Sequence, residues 1–133
     1  MKKPSLTTLK KKAWKLLSIL VRTAELDSKG RAKCFTCGIK KPWKKLYAGH
    51  FVQGRRPSIL FIEKIIRVQC VGCNRFRHGN LNRFTAAMLR EHGLENVLYW
   101  FDLAERKVER NPEWYQKLIE WYQTRLRKRG IKI

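Results

Sequence analysis

Between positions 5 and 27, Leu6, Leu9, Ala13, Leu16, Leu17, Leu20 and Ala24 recur at steps of three and four, and Lys10, Lys11, Lys12 and Lys15 fill other positions. This is the period of an amphipathic helix. Ser5 or Thr7 is placed to cap its start, and Asp27-Ser28-Lys29-Gly30 reads as the turn after it. From there the period shortens. Residues 46–52 (LYAGHFV) read as a short strand with Gly49 and His50 near its middle, broken by the loop Gln53-Gly54-Arg55-Arg56-Pro57. Residues 65–69 alternate well enough for a second strand that runs into Cys70. Asn74 then opens a polar, arginine-rich turn of helix, which Gly79-Asn80 interrupts. Asn82 is placed to cap a further helix through Arg90 to His92, closed by Gly93. Residues 94–108 are helical in period again. Asn111-Pro112-Glu113 supplies a cap, a first-position proline and a first-turn acid for a last helix, with Tyr115, Leu118, Ile119, Tyr122 and Leu126 inward.

The pattern contains no internal repeat and no low-complexity linker. The 133 residues therefore read as one α+β domain, with an N-terminal helix at 5–27, a small strand-containing core at 31–92 and C-terminal helices at 94–129. A chain of this size buries only a modest core, so a metal staple would help it.

Charge changes the picture most. The 31 Lys and Arg against 10 Asp and Glu give a net charge of +21, which attracts polyanions. Nucleic acid is favoured over membrane, because there is no long apolar span, signal-like start or lipidation motif. The distribution says more than the total. Residues 28–90 carry 15 Lys and Arg and one carboxylate, Glu63, whereas residues 91–123 carry seven acids and four bases. The middle of the chain is thus expected to face phosphates, through Lys44, Lys45, Arg55, Arg56, Arg75 and Arg77. The lysines of the first helix read as a further phosphate-binding face, and the acidic span as scaffold or subunit contact. Trp43, near the first knuckle, is placed to contact unstacked bases, with core packing as its default.

Two Cys-x-x-Cys pairs, Cys34/Cys37 and Cys70/Cys73, lie 32 residues apart with no fifth cysteine. Without an export signal they point to a reducing compartment, the cytoplasm, where paired thiols bind metal more often than they form disulfides. Four thiolates from two knuckles close one tetrahedral zinc site per chain, which is structural because it keeps no open position. Phosphodiester hydrolysis would need a base for water, a cation for the leaving oxygen and a rigid mount. His50 is a suitable base near neutral pH, and Asn74, locked to the second knuckle, offers an amide oxygen suited to a hard ion such as magnesium. Taken alone, a strand histidine is more often a packing residue.

The arrangement Cys-x-x-Cys, Gly-His, Cys-x-x-Cys-Asn resembles the His-Me finger (HNH) nucleases of the endonuclease VII type. AGHF, FIEKIIRVQCVGCN and HGNL, followed by HGLENV, look like the phage NinG/Rap recombination nucleases over roughly residues 33–122. The resemblance implies a zinc-stabilised ββα-metal core within a mainly helical domain, and a Mg2+- or Mn2+-dependent endonuclease acting on branched DNA such as Holliday junctions and D-loops. By position it makes His50 the general base, Asn74 the helix-borne metal ligand and the four cysteines the zinc ligands. If phage-encoded, the protein would work in the bacterial host cytoplasm. A homodimer is expected, since opposed strands call for two active sites, and the apolar stripes at the chain ends are candidates for that contact, with packing inside the chain as their rival use. No small-molecule cofactor is implied.

Two positions depart from the HNH pattern. The residue before the histidine, usually an Asp or His that binds the ion, is Gly49, and the central Asn falls near Ile65. Glu63 is the natural replacement ligand, equally readable as the partner of an arginine, and NinG-like sequences resemble this one in carrying Glu there. His78, four residues after Asn74, is a candidate second ligand or a phosphate contact. Asn80 reads as a substrate contact or helix cap, and His92 as a C-terminal cap. The competing reading is a zinc-ribbon nucleic-acid-binding protein without catalysis. A basic zinc protein associated with RNA has the charge in its favour and no motif.

Overall fold

The computed structural model describes residues 3–54 and 56–133, so the expected phosphate contact Arg55 lies outside the described residues. In chain order the elements are α1 (Leu6–Arg22), β1 (Arg31–Lys33), β2 (Lys40–Pro42), β3 (Tyr47–His50), α2 (Pro57–Leu60), β4 (Ile66–Gln69), α3 (Leu81–His92), α4 (Leu94–Ala104) and α5 (Pro112–Lys128). Single 3-10 turns lie at Trp43–Lys45 and Glu63–Ile65, and a π-helical turn at Gly72–Phe76. The strands make two separate antiparallel ribbons, β1–β2 and β3–β4. The architecture is α+β.

Ser5 caps α1 through its hydroxyl, which accepts from the Thr8 N–H. The helix stops at Arg22, short of the expected residue 27, because Thr23 turns both its N–H and its hydroxyl back onto the Ile19 carbonyl. Ala24 beyond that stop and Leu6 in the first turn are exposed, whereas Leu9, Ala13, Leu16, Leu17, Ile19 and Leu20 are buried. Asn111 caps α5 by accepting from the Trp114 N–H, and Tyr115, Ile119, Tyr122 and Leu126 point inward as the period predicts, with Leu118 half-buried. The two stripes bury each other: α1 packs on α5, and Arg129 donates to the Leu20 carbonyl at 2.6 Å and the Thr23 hydroxyl at 3.0 Å. They are therefore taken up within the chain and are not open for contact with a second copy.

Two further boundaries differ from expectation. Asn80, in the left-handed region at φ 49°, holds the N-cap position of α3, so Asn82 falls inside the first turn. α4 ends at Ala104 where residue 108 was expected; beyond it Arg106 donates to Asp102, and Arg56 takes the Glu105 carbonyl. β1, β2 and α2 are three or four residues long, too short to leave a period in the sequence.

One hydrophobic cluster joins α1, α3, α4 and α5 to Phe51, Val52, Ile59, Ile65 and Ile66. A smaller one gathers Ala32 and Leu46 with Cys34, Cys70 and Cys73, and Trp43 packs against both. No described helix is long and apolar enough to cross a membrane.

Candidate functional site

Each cysteine pair sits on a tight knuckle. In the first, Gly38 at φ 83° turns the chain so that its N–H reaches the Cys34 carbonyl at 2.9 Å and the Cys34 N–H reaches Ile39. In the second, the Cys73 N–H donates to Cys70 Sγ at 3.4 Å, and the Asn74 N–H to the Cys70 carbonyl at 2.9 Å. The four sulfurs lie within 4.8 Å of one another, and Cys37 Sγ is 3.7 Å from Cys70 Sγ. A tetrahedron with metal–sulfur bonds of about 2.3 Å has edges of about 3.8 Å, so the donors and their spacing fit a structural metal such as zinc.

Burial opposes a thiolate at Cys34, yet hydrogen bonds from the Thr36 hydroxyl and the neighbouring backbone bring its pKa down to about 6. Burial and the adjoining sulfurs push Cys37 up to about 12. The Asn80 amide reaches Cys73 Sγ at 3.5 Å and the Arg77 guanidinium reaches it at 4.0 Å. Asn80 thus supports the cysteine cluster, in the way outer groups orient metal ligands.

Next to this cluster, β3 and β4 pair with His50 opposite Ile66, Ala48 opposite Val68, Gly49 opposite Arg67 and Tyr47 opposite Gln69. His50 and Ala48 open on a cleft of about 390 Å³ whose other walls are Trp14, Gln53, Gly54, Asn74, His78 and Gly79. His50 and Asn74 thus line one cleft, and His78 lines it with them. His78 holds φ at 49°, an unusual conformation for a residue with a side chain.

Among the described residues, contacts that sequence reasoning missed hold the imidazole. Trp14 of α1 stacks on it, with ring centroids 4.6 Å apart and planes 22° apart. His50 Nε2 lies 3.3 Å from the Leu60 carbonyl. A carbonyl only accepts, so this contact places the neutral ring's proton on Nε2 and its lone pair on Nδ1.

Gly49 has its own cause. A Cβ there would sit 2.0 Å from Gln69 Oε1. Gln69 is fully buried, and its amide donates to the Thr36 hydroxyl at 3.1 Å and the Gly79 carbonyl at 2.8 Å. The Gly79 carbonyl can only accept, which identifies the amide nitrogen and leaves Oε1 as the atom against Gly49, buried and without a hydrogen-bond partner among the described residues. The signal in the sequence was a polar residue at the last strand position before Cys70.

Glu63 does not line the cleft. Both its oxygens face the Arg125 guanidinium of α5, Oε2 at 3.0 Å from Nη2. Of its two expected roles, ion ligand and arginine partner, the geometry gives it the second. No described residue lining the cleft is a carboxylate. His92 is not simply a cap either: its Nε2 lies 3.2 Å from Arg67 and 3.3 Å from Glu91, and its ring meets Trp100 edge-on.

The expected phosphate contacts Lys44, Lys45, Arg56, Arg75 and Arg77 are all exposed. Lys44 lies over the Trp43 ring at 5.7 Å and Arg75 over Tyr47 at 5.0 Å. Lys11, Lys12 and Lys15 of α1 face solvent as well.

Compared with known proteins, the chain matches along nearly its whole length the family model described as "Bacteriophage Lambda NinG protein", over residues 2–130. No curated protein and no solved structure matches it.

Proposed function

Because the chain belongs to the bacteriophage lambda NinG protein family, we propose that it is a metal-dependent, structure-selective DNA endonuclease of the His-Me finger type, cutting branched recombination intermediates such as Holliday junctions and D-loops. One observation carries this reading: His50, held by the Leu60 carbonyl and the Trp14 face, opens on the same cleft as Asn74 and His78. A ribbon followed by a helical turn, with the cysteine cluster at their junction, is the rigid mount that such chemistry needs.

His50 takes the proton of the attacking water through Nδ1, and the Leu60 carbonyl stabilises the imidazolium that results. Asn74 and His78 would hold the catalytic ion, which when bound supplies charge stabilisation for the leaving oxygen. An amide oxygen and an imidazole without a carboxylate suit Mn2+ better than Mg2+. The exposed Lys44, Lys45, Arg56, Arg75 and Arg77 position the backbone. Two opposed cuts would require two copies of the chain, meeting through a surface other than the α1 and α5 stripes.

A second reading, a nucleic-acid-binding zinc ribbon without catalysis, draws on the cleft's lack of a carboxylate and on the Gln69 amide filling the side-chain space at position 49. Incubation with a four-way junction, a D-loop and plain duplex separates the two, with Mg2+ or Mn2+, with chelator, and beside His50→Ala. Metal-dependent nicking of branched DNA that the substitution abolishes supports hydrolysis. Tight binding without nicking supports the binding module and sinks the nuclease.

A further inference from the structure

Phe76 is 78 % exposed, more than any other large apolar side chain among the described residues; Leu94 follows at 60 %. It does not sit on a loose loop. It is the last residue of the π-helical turn Gly72–Phe76, whose Cys73 belongs to the four-cysteine cluster and whose Asn74 lines the His50 cleft. Main-chain bonds clamp the turn on both sides: Arg77 N–H to the Gly72 carbonyl at 2.9 Å and Gly79 N–H to the Cys73 carbonyl at 2.8 Å. Its neighbours fold back, Arg75 over the Tyr47 ring at 5.0 Å and Arg77 toward Cys73 Sγ at 4.0 Å. Phe76 therefore projects from a fixed mount, with Arg75 and Arg77 on either side of it in sequence and Asn74, two residues earlier, lining the cleft.

The charge around it selects the occupant. An apolar protein surface would have to bring acids to meet Arg75 and Arg77, whereas a nucleic acid brings phosphates as part of its backbone and base faces for the ring. We propose that Phe76 is a wedge that stacks on a base at the branch point of DNA, while Arg75 and Arg77 take the flanking phosphates. In continuous duplex a ring can enter only by breaking a base stack within one helix; at a branch it need only part the ends of two arms, which can swing apart. The difference in that cost discriminates branched from linear DNA without reading sequence. The inference rests on the DNA-cutting reading of the cleft and supplies the selectivity that reading lacks.

The test compares wild type, Phe76→Ala and Phe76→Trp on a four-way junction and a linear duplex of equal length, with 2-aminopurine at the branch, and follows Mn2+-dependent nicking in parallel. With wild type and Phe76→Trp, binding changes the 2-aminopurine fluorescence and favours the junction. Phe76→Ala is expected to lose the fluorescence change and at least tenfold of the junction preference, with duplex affinity within twofold and an unchanged melting temperature. Junction preference and fluorescence change retained in Phe76→Ala overturn the wedge while leaving the nuclease intact. Phe76-dependent junction binding without nicking upholds the wedge and overturns the nuclease. A wild type with no junction preference, or with Phe76-dependent binding of a bulged RNA hairpin only, overturns the wedge on DNA.

Discussion

Position 49 is a glycine because the Gln69 amide occupies the space where its side chain would stand. Gly49→Ala must displace a carboxamide anchored at Thr36 and Gly79, and overpacking of this kind costs about 1–3 kcal/mol. The expected outcome is a lower midpoint in chemical denaturation, recovered in part when Gln69→Ala is added, the sign of a direct steric conflict. Tyr122 makes a second residue-scale case. Its hydroxyl is buried without a hydrogen-bond partner among the described residues, and burial first, then the Glu63 carboxylate, raises its pKa above the usual tyrosine value. The folded protein therefore holds this proton more tightly than the unfolded chain. The resulting stability is full below about pH 10, where the unfolded phenol titrates, and is lost as pH rises beyond it. Tyr122→Phe should be about 1 kcal/mol more stable than wild type near neutrality, and denaturation midpoints measured from pH 8 to 11 should show that advantage growing.

At the scale of elements, Glu63 ties the 3-10 turn before β4 to α5, and the two side chains of the pair are 33 % and 28 % exposed. Solvent screening at that exposure limits the pair to about 1 kcal/mol. Glu63→Gln should cost about that much in stability and leave nicking within a few-fold of wild type. A loss as complete as that of His50→Ala would instead return Glu63 to the ion. The cysteine cluster contributes differently, since the main core contains no cysteine. Cys34→Ser should reduce bound zinc from one equivalent to none by elemental analysis, disorder the two ribbons and leave most of the helical circular dichroism.

The same division explains what the sequence discloses. Cysteine spacing, the caps at Ser5 and Asn111 and the stripes of α1 and α5 are local or periodic, and they are legible. So is the placing of His50 and Asn74, because the knuckles fix both relative to the metal ligands. Strands β1 and β2 and helix α2 leave no period. The Trp14 stack and the Leu60 carbonyl are tertiary contacts, one made by a helix whose sequence signals were a core stripe and a lysine face, the other by a main-chain atom common to every residue. Glu63 was legible as a lone acid, but its partner sits 62 positions away.

For the molecule as a whole, charge is segregated along the chain. α4 carries Glu95 and Asp102 and no base, while its Leu94, Leu98, Tyr99 and Phe101 are exposed. DNA is expected on the basic middle of the chain and not on this helix. Binding through six to ten phosphates would lose about 10³–10⁵ in affinity between 50 and 200 mM salt. Titrations across that range, with Lys44→Ala and Lys45→Ala, should each lower the slope of log K against log salt by about one.

The packing of α1 on α5 also sets a timetable. Trp14 reaches His50 only if α1 is seated, and α1, which also packs on β3 and β4, gains its largest contact only once α5 has left the ribosome tunnel. During synthesis the metal-binding ribbons emerge first and the imidazole waits for its indole wall. A nascent chain would therefore bring its four cysteines together before the wall of the His50 cleft is in place.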